Sequence, residues 1–347
     1  MISPKRMRGA MRRARRIVAS GVESTFGMVL PMSRSPLHRE GLPAPVTNAL
    51  FSRIEVDDFE ALSPRLSDED RAYWTQLEPG SVNWKRTALH YSVRYGLEGS
   101  GARAGLTAAE PPSDVHAMGR GSLAAGGSIY HADLIFATLE LAGVEIPIGG
   151  RVLDFGCSSG RVIRVVKAYR RDLECHGCDP NEGAIRWANE NLPDISFMVS
   201  PQRPPLASDG SSFDCVFAIS IWSHFGPEAA TAWLAEMHRL LTPGGLLMLT
   251  THSFGSVAYY ASKRLRPVVD MRAVLTSMLG TGFGFLPMFG TKGDWGIIDP
   301  DWGESYISPE WLLNHATPQW EVLLYRTRAN EDNQDVVILR RRDVGSP

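Results

Sequence analysis

Apolar side chains change period along the chain, and the changes predict its elements. Residues 129–142, IYHADLIFATLELA, carry apolar positions at helical spacing and stop at Gly143. RVLDF (151–155) is a short apolar run that predicts a strand. GRVIRVVKAYR (160–170) predicts a helix with Val162, Val165 and Val166 along one side. LECHGC (173–178) predicts a second strand, NEGAIRWANENL (181–192) a helix stopped by Pro193, and ISFMV (195–199) a third strand. FDCVFAIS (213–220) predicts a fourth strand, and PEAATAWLAEMHRLL (227–241) a helix closed by Pro243, Gly244 and Gly245. LLMLTT (246–251) predicts a fifth strand. Strands alternating with helices at this spacing imply an α/β fold with a parallel, doubly wound sheet.

The flanks are less regular. Pro31, Pro36, Pro43 and Pro45 discourage long helices in 23–64. From Ser67 to Tyr95 the pattern turns helical, with Glu69 and Asp70 in the first turn. Residues 97–127 are rich in glycine and read as a linker or lid. Residues 253–308, rich in glycine and aromatics, are too long for a simple loop and read as a substrate-side insertion. WEVLLYR (320–326) and DVVILRR (335–341) then predict an antiparallel hairpin added to the sheet edge.

Charge changes the picture at one end only. The 347 residues carry 36 Lys and Arg against 38 Asp and Glu, a net −2, which argues against a nucleic-acid binder. Lys5, Arg6, Arg8, Arg12, Arg13, Arg15 and Arg16 precede the first acid, Glu23. Setting those seven aside leaves 29 basic and 38 acidic residues, a net −9, so an acidic body carries a basic arm. On a helical wheel Met7, Ala10, Met11, Ala14, Ile17 and Val18 fall on one side of residues 1–22 and the basic residues on the other. That is the pattern of a peripheral membrane contact, and equally of a solvated tail. No apolar stretch has the length of a membrane span, and four cysteines are too few for a disulfide scaffold. The expected location is the cytoplasm, with the arm as a candidate contact to the inner face of the membrane. Cys175 and Cys178 form a C-x-x-C without two matching ligands, so core thiols are expected and no metal site is assigned.

The densest chemical signal is RVLDFGCSSGRV (151–162): strand, glycine turn, helix. Gly156 allows a tight turn and Gly160 a close approach of backbone to a ligand. Asp179 follows the second strand, 23 residues beyond Gly156, where an acid accepts both hydroxyls of a ribose. Gly156-Cys-Ser-Ser-Gly160 does not supply the G-x-G-x-x-G of dinucleotide binders, and the phosphate-loop Lys-Ser/Thr is absent.

VLDFGCSSGR, Asp179, FDCVFAISIWSHF (213–225) and LLTPGGLLMLTT (240–251), in that order, resemble the motifs of class I S-adenosylmethionine-dependent methyltransferases. The resemblance covers 128–252 and the final hairpin. It implies a Rossmann-like sheet and S-adenosyl-L-methionine held by Asp154, Gly156, Cys157, Ser158, Gly160, Asp179, Gln202 and Ser220. Ser158 stands where the family frequently has glycine. Ser200-Pro201-Gln202 stands where it often has an acid for the adenine, so Gln202 or backbone takes that role. The implied organisation is a basic arm (1–22), a helical or irregular cap with the glycine-rich linker (23–127), a cofactor-binding core (128–252), the insertion (253–308) and C-terminal strands completing the sheet (309–347). The layout, with Trp222-Ser223-His224 and the terminal QDVVILRR, is similar to bacterial methyltransferases of glycan and natural-product assembly. This implies methylation of a sugar hydroxyl of a glycan or glycolipid. Methylation of nitrogen or carbon in another small molecule, and cofactor binding without turnover, are the alternatives.

A hydroxyl acceptor benefits from a base near neutral pH, for which histidine is suited. His224 follows the fourth strand and His252 the fifth, both at carboxyl ends of strands where open α/β sheets place ligands. His224 is the first expectation for the base, and His252 for positioning the acceptor. Asp294, Asp299, Asp301 and Glu304, interleaved with Trp295, Trp302 and Tyr306, suit sugar hydroxyls, or form a solvated loop over packed rings.

Overall fold

The computed structural model describes residues 42–54, 62–96, 103–288 and 298–342. The basic arm, Asp294 and Trp295 lie outside them. Seven strands form one sheet: β1 (Arg151–Phe155), β2 (Glu174–Asp179), β3 (Ser196–Val199), β4 (Phe213–Ala218), β5 (Leu241–Thr251), β8 (Trp320–Asn330) and β9 (Gln334–Arg341). Their order is β3-β2-β1-β4-β5-β9-β8, parallel from β3 to β5, with β9 antiparallel to both its neighbours. This is the expected doubly wound α/β sheet with its terminal hairpin.

Both faces of the sheet are covered because its central strands are apolar at successive positions. Val152, Cys175, Phe217 and Met248 pack on one side, against α4 (Ile129–Leu141), α5 (Ile163–Tyr169) and α6 (Glu182–Asn191). Leu153, Phe155, Val216 and Leu247 pack on the other, against α7 (Pro227–Leu240) and α10 (Pro309–Ala316). Cys175 and Cys178 fall on opposite faces, and all four cysteines are buried free thiols.

Several boundaries differ from the expectation. The helix expected from Ser67 to Tyr95 is two, α2 (Asp68–Trp74) and α3 (Val82–Arg94), each capped by a serine, Ser67 or Ser81. Pro79 and Gly80 separate them, Gly80 at φ +80. Pro45 opens a helix, α1 (Pro45–Phe51), within a stretch expected to be irregular, because proline is tolerated in a first turn. β5 begins earlier, with Leu241 paired to Phe213. The final hairpin turns over 331–333, tighter than expected.

The N-terminal helices dock through a buried charge. Asp133 of α4 accepts the Thr47 N–H (2.9 Å), the Thr47 hydroxyl, and Arg86 Nε and Nη2 (3.0 and 2.8 Å). The insertion is helical: α8 (Phe254–Lys263) and α9 (Val268–Thr281) precede a separate two-stranded sheet, β6 (Phe283–Leu286) with β7 (Glu304–Ile307). Among the described residues, no helix is long and apolar enough to cross a membrane.

Candidate active site

A cavity of about 290 Å³ opens at the carboxyl ends of β1, β2, β3 and β4. Its walls come from the turn after β1 (Gly156, Ser158), the end of β2 (Asp179 to Asn181) and the loop after β3 (Ser200 to Gln202). The segment after β4 adds Ile219 to Ile221, His224 and Phe225, and α7 adds Trp233. His116 and Met118 reach in from the glycine-rich segment, and Asp299, Asp301 and Trp302 from the insertion.

The turn after β1 is locked by backbone. The N–H groups of Gly156 and Cys157 both donate to the Cys178 carbonyl (2.9 and 3.0 Å). Gly156 sits at φ +82 and Ser158 at φ +50, so a serine holds the left-handed conformation that glycine adopts at lower cost. The Ser158 N–H donates to Asp179 Oδ2 and the Asn181 N–H to Oδ1, both at 2.8 Å. Burial pushes the Asp179 carboxyl above its usual range, and those two N–H groups act against the shift. A carboxylate has about four lone-pair sites, so each oxygen keeps room for one hydroxyl. The Ser158 hydroxyl donates to the His116 carbonyl (3.4 Å) and lies 3.0 Å from His116 Nδ1, tying the glycine-rich segment over the turn.

Three of the expected turn residues lie elsewhere. Asp154 alternates with cavity-lining Phe155 along β1 and is buried beneath the turn, where it accepts the Ile163 N–H at the start of α5. Burial pushes its carboxyl up to about 8, and Oδ2 has no hydrogen-bond partner. Cys157 packs into the core beside Gly177, and its thiol is pushed up by burial. Gly160, at φ +77, faces Leu192 and Phe197: an added Cβ would lie 2.8 Å from one and 2.9 Å from the other. Its close approach is therefore to the core rather than to the cavity.

The two histidines part company. His224 is half-buried, lines the cavity and stacks on Trp302, with ring centroids 4.9 Å apart. Its Nδ1 lies 2.8 Å from the Gly303 carbonyl, so the neutral ring carries its proton there and Nε2 is the basic nitrogen. His252 does not line the cavity. It is enclosed between Tyr260 and Tyr306, and burial, with the nearby His224, pushes it down to about 3. Ser220, at φ +62, lines the cavity and is fixed from behind, its N–H donating to Thr250 Oγ1 and its hydroxyl to Gln334 Oε1.

Most of the insertion's acids have protein partners. Asp299 and Asp301 pair with Arg203, and Glu304 with Arg266 (2.8 Å). Among the described residues no three His, Cys, Asp or Glu side chains gather to hold a metal ion. No motif singles out His116, Met118 or Arg203. Only the glycine-rich character of 97–127, which marked a lid, pointed toward His116.

Residues 152–245 match a family model described as a methyltransferase domain. The chain carries a methyltransferase domain. Solved structures similar to this chain include a SAM-dependent methyltransferase from Methanosarcina mazei. That one has 19% identity over 57% of this chain and 94% of the other, with a TM-score of 0.42. Another is the 1,6-didemethyltoxoflavin-N1-methyltransferase of Burkholderia thailandensis, solved with 1,6-didemethyltoxoflavin and S-adenosylhomocysteine. It has 14% identity over 61% of this chain and 76% of that one, with a TM-score of 0.39. The cavity fits S-adenosyl-L-methionine. A glycine turn that leaves space, a carboxylate with two oxygens to offer and an aromatic wall lie around one space at the strand ends.

Proposed function

We propose that this methyltransferase methylates a hydroxyl of a sugar ring in a glycan or glycolipid, with His224 as the base. The observation that carries the reading is the His224 ring, which lines the same cavity as Gly156 and Asp179 with its Nδ1–H committed to Gly303. S-adenosylmethionine, when bound, supplies a methyl already activated on a sulfonium. The protein's part is alignment, exclusion of water and removal of the hydroxyl proton. Nε2 of His224 takes that proton as the oxygen attacks. Asp179 holds the ribose hydroxyls, Gly156 and Ser158 offer backbone beside them, and Gln202 and Ser220 bound the rest. Phe225, Trp233 and Trp302 supply ring faces against which a sugar stacks.

Methyl transfer from labelled cofactor into sugar and lipid fractions, with the new methyl located by mass spectrometry, tests this. Label on a sugar oxygen supports it, and label on nitrogen or carbon replaces it. Binding without transfer makes the protein a sensor.

Asp179→Ala is expected to weaken cofactor binding by about 2 kcal/mol through lost charge-assisted bonds to the ribose. Unchanged calorimetric affinity in the folded variant removes Asp179 from that role. For the arm, removal of residues 1–22 is expected to abolish binding to anionic vesicles while sparing cofactor affinity. Each Lys or Arg near such a surface contributes about 1 kcal/mol. Equal sedimentation of both proteins at low salt removes the membrane contact.

A further inference from the structure

The loop after β3 and the insertion meet across the cavity through one guanidinium. Arg203 follows cavity-lining Gln202 and donates Nε and Nη2 to the two oxygens of Asp299, both at 2.9 Å. Its Nη1 reaches Asp301 Oδ2 at 3.3 Å. That Asp301 oxygen also accepts the Ala229 N–H (2.7 Å) in the first turn of α7.

These contacts sit at one end of a segment that sets the geometry of His224. Residues 301–305 run along 223–226 through three backbone bonds of 2.8 Å: Gly226 N–H to Asp301 O, Gly303 N–H to His224 O, and Ser305 N–H to Ser223 O. The same segment presents the Gly303 carbonyl to His224 Nδ1 and the Trp302 ring to its face. Two half-buried carboxylates anchor it, and they repel unless a cation lies between them. The electrostatics agree. Burial raises the Asp299 carboxyl, but the Arg203 hydrogen bonds outweigh this and leave it lowered. Asp301, less directly paired, stays raised, with burial the main cause.

We propose that Arg203 is a positioning residue: by clasping Asp299 and Asp301 it holds the Trp302–Gly303 segment in the place that orients and fixes the tautomer of His224. The inference builds on the assignment of His224 as the base, but its first readout is structural and does not need that assignment. A guanidinium suits the task because its planar fork pairs both oxygens of Asp299 and still reaches Asp301.

The experiment follows the histidine nitrogens by ¹⁵N NMR in the full chain without cofactor. It uses wild type, Arg203→Gln, Asp299→Asn and Arg203→Lys, with the His224 signal assigned by its loss in His224→Asn. Wild type is expected to show His224 with its proton on Nδ1. Arg203→Gln and Asp299→Asn are expected to show a mixture of tautomers, and Arg203→Lys to recover most of the wild-type signal. In transfer assays the first two variants should lose about tenfold in turnover, and the lysine variant should recover part of it. A wild-type His224 signal in folded Arg203→Gln and Asp299→Asn overturns the inference whatever their turnover. A changed signal with undiminished turnover leaves the clasp in place and sinks the assignment of His224 as the base.

Discussion

Gly156→Val is expected to abolish binding of S-adenosylmethionine. Two effects act together. The residue sits at φ +82, a conformation that a β-branched side chain reaches at a cost of roughly 1–3 kcal/mol. A Cβ built there lies 2.1 Å from Ile221 Cδ1 and 2.6 Å from Cγ1. Ile221 lines the cavity, so a displaced isoleucine, or a displaced turn, takes up space there. The turn has little freedom to yield, because the N–H groups of both Gly156 and Cys157 are held by the Cys178 carbonyl. Calorimetry with cofactor should show no heat of binding, while thermal unfolding remains cooperative with a lowered midpoint. Wild-type affinity in the folded variant would show that the turn does not border the cofactor. Gly160→Ala meets different atoms, the Leu192 and Phe197 side chains of the core, so its damage should appear in stability.

That contrast shows how far sequence reasoning reaches. The five parallel strands were legible because their apolar runs are bounded by turn residues and covered on both faces. The helices of the insertion were not. α9 carries Val268, Val269, Met271, Val274, Leu275, Met278 and Leu279, so its apolar positions spread around much of the helix and blur the 3.6 period. The break between α2 and α3 was written in Pro79 and Gly80, but the helical pattern on both sides masked it.

At the site, residues on the rims of strands were legible by position: Gly156, Ser158, Asp179, Gln202, Ser220 and His224 all line the cavity. Asp154 was placed there by motif, although the two-residue period of a strand sets it opposite Phe155. His252 follows its strand as His224 does. It ends outside the cavity because β7 runs beside it, with the Ile307 N–H on its carbonyl and the Tyr306 ring on its face. Nothing local to residues 250–254 encodes that contact. His116 comes from 42 residues before Ser158, in a segment without periodicity, and only the fold brings the two together.

His224→Ala is expected to cut turnover by about 10²-fold or more while cofactor affinity stays near wild type. The ring contributes to the barrier and not to the ribose or glycine contacts, so kcat should carry the loss. The pH dependence gives the sharper test. A protonated imidazole has no nitrogen to accept the acceptor's proton, so wild-type turnover should rise with pH as the ring becomes neutral, then level off. Two buried groups outside the cavity bear on the interpretation. His252, pushed down to about 3 by burial, is already neutral above pH 5 and produces no such limb. Asp154, pushed up to about 8, loses its proton at higher pH and lies beneath the turn, so any limb it produces persists in His224→Ala. The signature of His224 is therefore a rising limb that disappears with the imidazole. A variant that keeps most of its turnover and the wild-type profile returns His224 to a purely structural part, stacked on Trp302 and bonded to Gly303.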